Sequence, residues 1–310
     1  MNNLQTHIEN YLEYCRVQKR LDEKTRKAYR IDLRQFTGQI TVTEISEITS
    51  TILELHMEKL HQQYAPKTVK RKFASLKAFF HYLEYKDIIS RNPFRKLQIK
   101  FREPITLPKT IPLNTIETLL NTIYKQYCHA PSSYKKRNAL RDIAVIELLF
   151  TTGIRISELC TISYQNVDLQ NRLILVKGKG SKERYIHICD HHVTAVLDQY
   201  YSEHQKEICS CGYFFVNNIG NCLSDQSVRE MINKYCRIAG IRQHITPHMF
   251  RHSFATLLLE EDVDIRYIQT MLGHSSINVT EIYTHVTMSK QKDILATKHP
   301  RKNMDIANQL

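Results

Sequence analysis

Ile245-Thr-Pro-His-Met-Phe-Arg-His-Ser-Phe-Ala-Thr-Leu-Leu-Leu-Glu260, followed by Met271-Leu-Gly-His-Ser-Ser276 and Glu281-Ile-Tyr-Thr-His285, is the stretch around which the 310-residue chain reads. Thr246-Pro247 is a helix-start signal, because proline fits a first helical turn, where its missing N–H costs nothing. Phe250, Phe254, Leu257 and Leu258 then recur at helical spacing. His248 and Arg251 are three residues apart, so they share a face near the N-terminus of that helix. Unpaired N–H groups and a partial positive charge gather at that end, and together with an arginine and a histidine they suit a phosphate. Taken alone, an HxxR pair is more often a solvated polar face. A lone tyrosine such as Tyr283 is more often a half-buried core residue that has found a hydrogen-bond partner.

The upstream sequence changes that balance. Thr152-Gly-Ile-Arg-Ile-Ser-Glu-Leu159 and Lys177-Gly-Lys-Gly-Ser-Lys-Glu-Arg184 surround Arg155 and Lys179 with glycine. The chain has only 8 glycines, and Gly153, Gly178, Gly180 and Gly273 each lie within two positions of Arg155, Lys179 or His274. In a glycine-poor chain, glycine marks backbone that must turn sharply or be approached closely. The clustering therefore points to one site.

With Arg155, Lys179, His248, Arg251, His274 and Tyr283 in this order, the sequence resembles the tyrosine recombinase/integrase family, most nearly its Xer-like and integron-integrase-like members. The resemblance covers nearly the whole chain. It implies a mainly α fold with a small β-sheet: an N-terminal helical, SAM-like core-binding domain and a C-terminal mixed α/β catalytic domain. It also implies that the six residues are catalytic. Lys179 is preferred over its neighbours Lys182 and Arg184 because it stands between two glycines, as the family's catalytic lysine does.

Length and composition fit this organisation. A chain of this size accommodates two domains, and 42% hydrophobic residues suffice for two cores. The formal charge is +13. The first 100 residues hold 19 Lys and Arg against 11 Asp and Glu, so most of the surplus lies in the smaller domain, as expected of a surface that meets nucleic acid. No apolar run reaches membrane-spanning length, and the opening Met-Asn-Asn-Leu-Gln does not read as a signal peptide, so a cytoplasmic protein without a membrane partner is expected. Among the 8 cysteines, Cys209-Ser-Cys211 with Cys222 and Cys236 invites a zinc reading. The spacing does not match paired CxxC knuckles, so reduced thiols and no metal are expected.

In chain order, helices are expected over Leu4–Lys19, from Asp22, and from Thr49-Ser50 with Ile52, Leu55 and Leu60 inward. A fourth opens at Ala65-Pro66 with Val69, Phe73, Leu76, Phe80 and Leu83 as its apolar stripe. Lys70, Arg71 and Lys77 fall away from that stripe. On composition they are a solvated face; the family places such a helix in the major groove, which makes them candidate DNA contacts. Domain one is residues 1–97. Residues 98–112, with Pro104, Pro108 and Pro112, read as an extended linker, and residues 113–310 as the catalytic domain with its tail. Within the latter we expect a helix from about Asn114, a polar loop over Cys128–Asn138, and a buried helix over Arg141–Phe150. Strands follow at Arg172–Val176 and Arg184–Ile188, with Lys179 near the hairpin tip. Helices then cover His191–Glu207 and Asp225–Ala239 around buried Tyr213–Val216. A last helix over Thr287–Ala296 would, by resemblance, pass to a neighbouring subunit.

The implied chemistry is transfer of a phosphodiester to Tyr283, giving a 3′-phosphotyrosyl intermediate. Arg155 and Arg251 would grip the non-bridging oxygens with planar forks. His248 would relay a proton, needed because a free phenol ionises only near pH 10. Lys179 would protonate the leaving 5′-oxygen, His274 would hydrogen-bond the phosphorane, and Glu158 could orient Arg155 or merely cap its helix. No two-metal carboxylate cluster is apparent, so no cofactor is expected, and the phosphotyrosine conserves bond energy for resealing without ATP. The partners implied are double-stranded recombination sites and a homo-tetramer on paired sites that passes through a Holliday junction, for integration, excision or resolution, as on mobile elements. A type IB topoisomerase shares the chemistry but not the assembly. A DNA-binding regulator would not need the complete set of six residues. Binding should weaken steeply with salt, since each neutralised phosphate releases roughly 0.9 counterion; a flat salt titration of affinity would contradict a phosphate-led interface.

Overall fold

The computed structural model of the chain describes residues 4–42, 44–97, 109–178 and 183–273. Its contacts divide into two units, Met1–Ile105 and Thr106–Leu310.

The first unit is four helices joined by short turns: α1 (Leu4–Val17), α2 (Glu23–Gln39), α3 (Ser50–Gln63) and α4 (Pro66–Tyr85). The starts are set locally. The Asp22 carboxylate accepts from the Thr25 N–H at 2.8 Å, Thr49 Oγ1 accepts from Ile52, and Pro66 occupies the first turn of α4. The apolar stripe of α4 is buried throughout, and Phe79 joins it. Tyr11 of α1 packs on Phe79 and Tyr82 with ring centroids 5.4 and 5.1 Å apart, so aromatic contact closes α1 onto α4. Two expected core positions are wrong, Leu55 here and Tyr213 of the second unit, which is 37% exposed beside buried Phe214–Val216. Leu55 is 53% exposed, and α3 instead turns Leu53, His56 and Leu60 inward. His56 faces the rings of Phe36 and Phe73, and burial holds its pKa down to about 4, so it packs as a neutral aromatic ring.

The second unit is built around α6 (Ser133–Thr152), of which every residue from Ala139 to Leu149 except Arg141 is buried. Such a helix must be covered all round. α5 (Leu113–Cys128), α7 (Ile156–Cys160), α8 (His191–Cys211), α9 (Asp225–Ile238) and α10 (Pro247–Glu260) pack against it, and α11 (Ile265–Leu272) packs on α10. An antiparallel sheet, β1 (Val167–Asp168), β2 (Leu173–Lys177) and β3 (Glu183–His187), lies in that order, with Ile174 opposite Ile186 and Val176 opposite Arg184. Ile174, Val176 and Ile186 form its buried side. The strands begin one residue from where alternation placed them, and β1 and α11 were not expected.

The expected polar loop over Cys128–Asn138 is also corrected. The connection spans only residues 129–132, Ser132 caps α6, and the basic run that follows is the helix's exposed first turn. Arg137 there donates to the Glu203 carbonyl at 2.7 Å and to Glu207 at 2.8 Å, which joins α6 to α8. No helix among the described residues is long and apolar enough to cross a membrane.

Gly153 ends α6 in a left-handed conformation with φ +59°, and its carbonyl faces α10. A Cβ there would lie 2.8 Å from Phe254 Cδ1 and 2.9 Å from Leu272 Cδ2. Gly153→Ala should therefore cost roughly 1–2 kcal/mol for the backbone and a further 1–3 kcal/mol for overpacking. Urea unfolding measures it; a loss under about 0.5 kcal/mol, the scale of a neutral surface change, would contradict this account of the turn.

Candidate active site

Three arginines from distant parts of the sequence converge on the C-terminal end of α11. The last carbonyls of a helix lack partners within it and carry its negative pole, so guanidinium groups settle there. Arg251, on the first turns of α10, is only 5% exposed. It donates from Nη1 to the Gly153 carbonyl at 2.8 Å and from Nη2 to the Leu272 carbonyl at 2.6 Å. Arg155 stands at the N-cap of α7, held there by the Gly153 turn, and donates to the Leu272 and Gly273 carbonyls at 3.4 and 3.3 Å. Arg184, the second residue of β3, donates from Nε to the Met271 carbonyl at 3.0 Å.

Glu158 ties two of these arginines together. Its carboxylate accepts from Arg155 Nη1 at 2.8 Å and from the Arg155 backbone N–H at 3.2 Å, half of a capping box. Arg184 grips the same carboxylate with a fork, Nη1 to Oε1 at 3.1 Å and Nη2 to Oε2 at 2.7 Å. Burial pushes the Glu158 pKa up, but the hydrogen bonds and charge of Arg184, and then Arg155, outweigh it and hold the carboxyl below the usual range. Glu158 thus orients Arg155 as well as capping α7.

His248, an exposed residue, lies one turn before Arg251. Partial desolvation, then the charges of Arg229, Arg251 and Arg155, hold its pKa below the ordinary histidine value. Arg229, an exposed residue of α9, is a cation beside this site that the sequence reading missed. Its only signal was a basic residue on a strongly amphipathic helix. The structure therefore brings together Arg155, His248 and Arg251 of the six expected residues. Lys179, His274 and Tyr283 lie outside the described residues, as does the expected helix over Thr287–Ala296. Arg184, a rival for the role of Lys179, has its guanidinium engaged with Glu158 and a backbone carbonyl. Among the described residues no cluster of His, Cys, Asp or Glu is arranged to hold a metal.

In the first unit Lys70, Arg71 and Lys77 are exposed along α4. Arg71 is not a loose solvated charge. Its fork binds Asp32 of α2 at 2.6 and 2.9 Å, and the same buried carboxylate takes Lys72 at 3.0 Å and Ser75 at 2.7 Å. The Lys72 side chain is 7% exposed, so removing Asp32 would strand a buried cation at a cost of about 3–5 kcal/mol. Arg71 is thus held rigidly with its stem at the surface, between Lys70 and Lys77.

The architecture is thus a four-helix unit followed by a helical unit with a small antiparallel sheet and an Arg–Glu–Arg site. The family model of the phage integrase family matches residues 110–290, and that of the phage integrase N-terminal SAM-like domain matches residues 8–86. A protein of Agathobacter rectalis named tyrosine recombinase is 62% identical over 98% of this chain and 99% of its own length. Tyrosine recombinase XerC of Thermodesulfovibrio yellowstonii is 34% identical over 98% of this chain and all of its own. Among solved structures, XerH bound to its difH substrate before cleavage superposes with a TM-score of 0.68 at 24% identity, over 87% of this chain and 79% of that one. A λ integrase tetramer bound to a Holliday junction gives 0.68 at 15%, over 91% and 77%. The chain belongs to the phage integrase family, the tyrosine recombinases, and is a site-specific recombinase that cuts and exchanges DNA strands.

The depressed His248 pKa has a testable sign. A histidine whose pKa is lowered stays neutral, and able to accept a proton, to a lower pH than usual. Single-turnover cleavage should hold as pH falls through 6.5 and decline only below it, and His248→Asn should remove that inflection. An inflection above pH 6.5 that depends on His248 would contradict the placement of the ring among three cations.

Proposed function

We propose that Arg155, Arg251 and His248 form the phosphate-binding half of the active site, and that Lys179, His274 and Tyr283 complete it. The observation that carries this reading is the convergence of Arg155 and Arg251 on the Leu272 carbonyl, with His274 two residues further along the chain. Two planar guanidiniums beside one another are suited to the two non-bridging oxygens of a phosphodiester and to the extra charge of a phosphorane. Tyr283 attacks the phosphorus and forms the 3′-phosphotyrosyl bond. Its proton passes by way of His248. Lys179 gives a proton to the 5′-oxygen as that bond breaks, and His274 donates to the phosphorane. A 5′-hydroxyl from the partner duplex then reverses the step, and two rounds make and resolve a Holliday junction.

The exposed stripe of Lys70, Arg71 and Lys77 meets the DNA backbone from the first unit, with residues 98–112 as the connection to the catalytic domain. Four copies act on two paired sites. The segment after Tyr283, with Met288, Ile294 and Leu295, supplies apolar surface for a neighbouring subunit, a heterologous contact that closes into a ring. A protein of this kind works in the cytoplasm on chromosomal, plasmid or mobile-element DNA. The relatives named recombinases, and the λ integrase tetramer on its junction, support this over a monomeric topoisomerase.

On a nicked suicide duplex, Tyr283→Phe should bind normally and give no covalent adduct, and wild-type cleavage should persist in excess chelator. A 5′-bridging phosphorothiolate, whose leaving sulfur needs no proton, should restore cleavage to Lys179→Ala but not to Arg155→Ala. An adduct in Tyr283→Phe sinks the nucleophile assignment. Rescue of Lys182→Ala in place of Lys179→Ala moves the acid to that lysine.

A further inference from the structure

Arg184 has no part in the reaction just described, yet its side chain is tied into the site by hydrogen bonds. It is 13% exposed and makes three hydrogen bonds, two to Glu158 and one to the Met271 carbonyl. Gly273 packs against it so closely that a Cβ there would lie 3.1 Å from both Arg184 Cδ and Nη1. Such a side chain is placed to hold other groups in position.

The consequence lies in the charges. Arg155 and Glu158 alone make a neutral pair, Nη1 to Oε1 at 2.8 Å with the carboxylate 5% exposed. A guanidinium neutralised at that distance attracts a phosphate less. Arg184 adds a second positive charge to the same buried carboxylate, so the three groups together carry a net +1. Its fork also occupies both Glu158 oxygens, which fixes the carboxylate plane that in turn fixes Arg155. Through Nε it pins the end of α11, the end on which Arg155 and Arg251 also converge.

We infer that Arg184 is a positioning residue for strand cleavage. By satisfying Glu158, it leaves Arg155 with its positive charge and its orientation for the scissile phosphate. The inference rests on the reading of Arg155 as a phosphate ligand, and the experiment separates the two.

Single-turnover cleavage is measured at saturating DNA for the wild type, Arg184→Ala, Arg184→Lys, Arg155→Ala and the double variant Glu158→Gln/Arg184→Ala. Each is tested on an ordinary duplex and on one with a methylphosphonate at the scissile position, where a neutral methyl replaces a charged oxygen. Arg184→Ala should cleave about ten- to a hundredfold more slowly, the usual scale for a residue that orients a ligand-binding group. Its affinity for DNA should stay nearly unchanged. The methylphosphonate needs less positive charge, so both Arg155→Ala and Arg184→Ala should lose most of their defect on it. Glu158→Gln removes the carboxylate that would neutralise Arg155, so the double variant should cleave faster than Arg184→Ala alone. Arg184→Lys, which keeps the charge and loses the fork, should fall between the wild type and Arg184→Ala; it also carries the test if Arg184→Ala melts at the assay temperature. A defect of equal size on both substrates, uncorrected by Glu158→Gln, would overturn the inference and leave Arg184 a packing residue. If Arg155→Ala itself shows no relief on the methylphosphonate, the phosphate-ligand reading fails, and the inference fails with it.

Discussion

A carboxylate withdrawn from water beside a single guanidinium gains little, because desolvation cancels most of the attraction. Glu158 resolves this by taking two arginines, Arg155 from its own helix and Arg184 from β3. The rest of the catalytic unit is arranged to make that meeting possible. The left-handed turn at Gly153 throws the chain from α6 into α7 and sets Arg155 at its start. The sheet delivers Arg184 opposite Val176. The end of α11 supplies the carbonyls to which both of these arginines and Arg251 donate, Met271 for Arg184 and Leu272 for Arg155 and Arg251. Three elements of distant sequence are thus fixed to one another by polar contacts around a single anion, and small displacements of any of them reach Arg155.

The first unit repeats the device with different parts. Asp32 is buried between α2 and α4, where Arg71, Lys72 and Ser75 surround it. Burial raises its pKa, but those partners hold it below the usual carboxylate range. A carboxyl held down contributes stability that is present above its unfolded pKa and lost as pH falls through the folded one, so acid should loosen both units through the same chemistry. Arg71 lies at once in this network and on the exposed stripe of α4. The packing of α2 on α4 and the presentation of the basic face are therefore one structural fact.

Much of this was legible in the sequence, and the boundary of legibility is physical. Helix starts were readable because Asp22, Thr49, Pro66 and Pro247 act within one turn. Arg155, His248 and Arg251 were readable because short spacings and nearby glycines mark them. Arg184 was visible only as a rival lysine substitute, since its partners lie 26 and 87 residues away in the chain. The first turn of α6 was hidden because exposed Tyr134, Lys135 and Lys136 resemble a loop until Arg137 finds Glu207. Leu55 was misplaced because α3 buries a neighbouring set of positions, with His56 filling a site between phenylalanines. α11 is too short, at eight residues, to show a period of its own.

The central claim is that Arg155 and Arg251 together hold the phosphorane. Its most direct test is binding to a transition-state mimic: a duplex interrupted at the scissile position by 3′- and 5′-hydroxyls, bridged by orthovanadate, which takes five-coordinate geometry with the tyrosine oxygen. Wild-type protein should bind this assembly far more tightly than the same duplex without vanadate, and the gain should vanish in both Arg155→Ala and Arg251→Ala. A gain that survives the loss of both arginines would contradict the account.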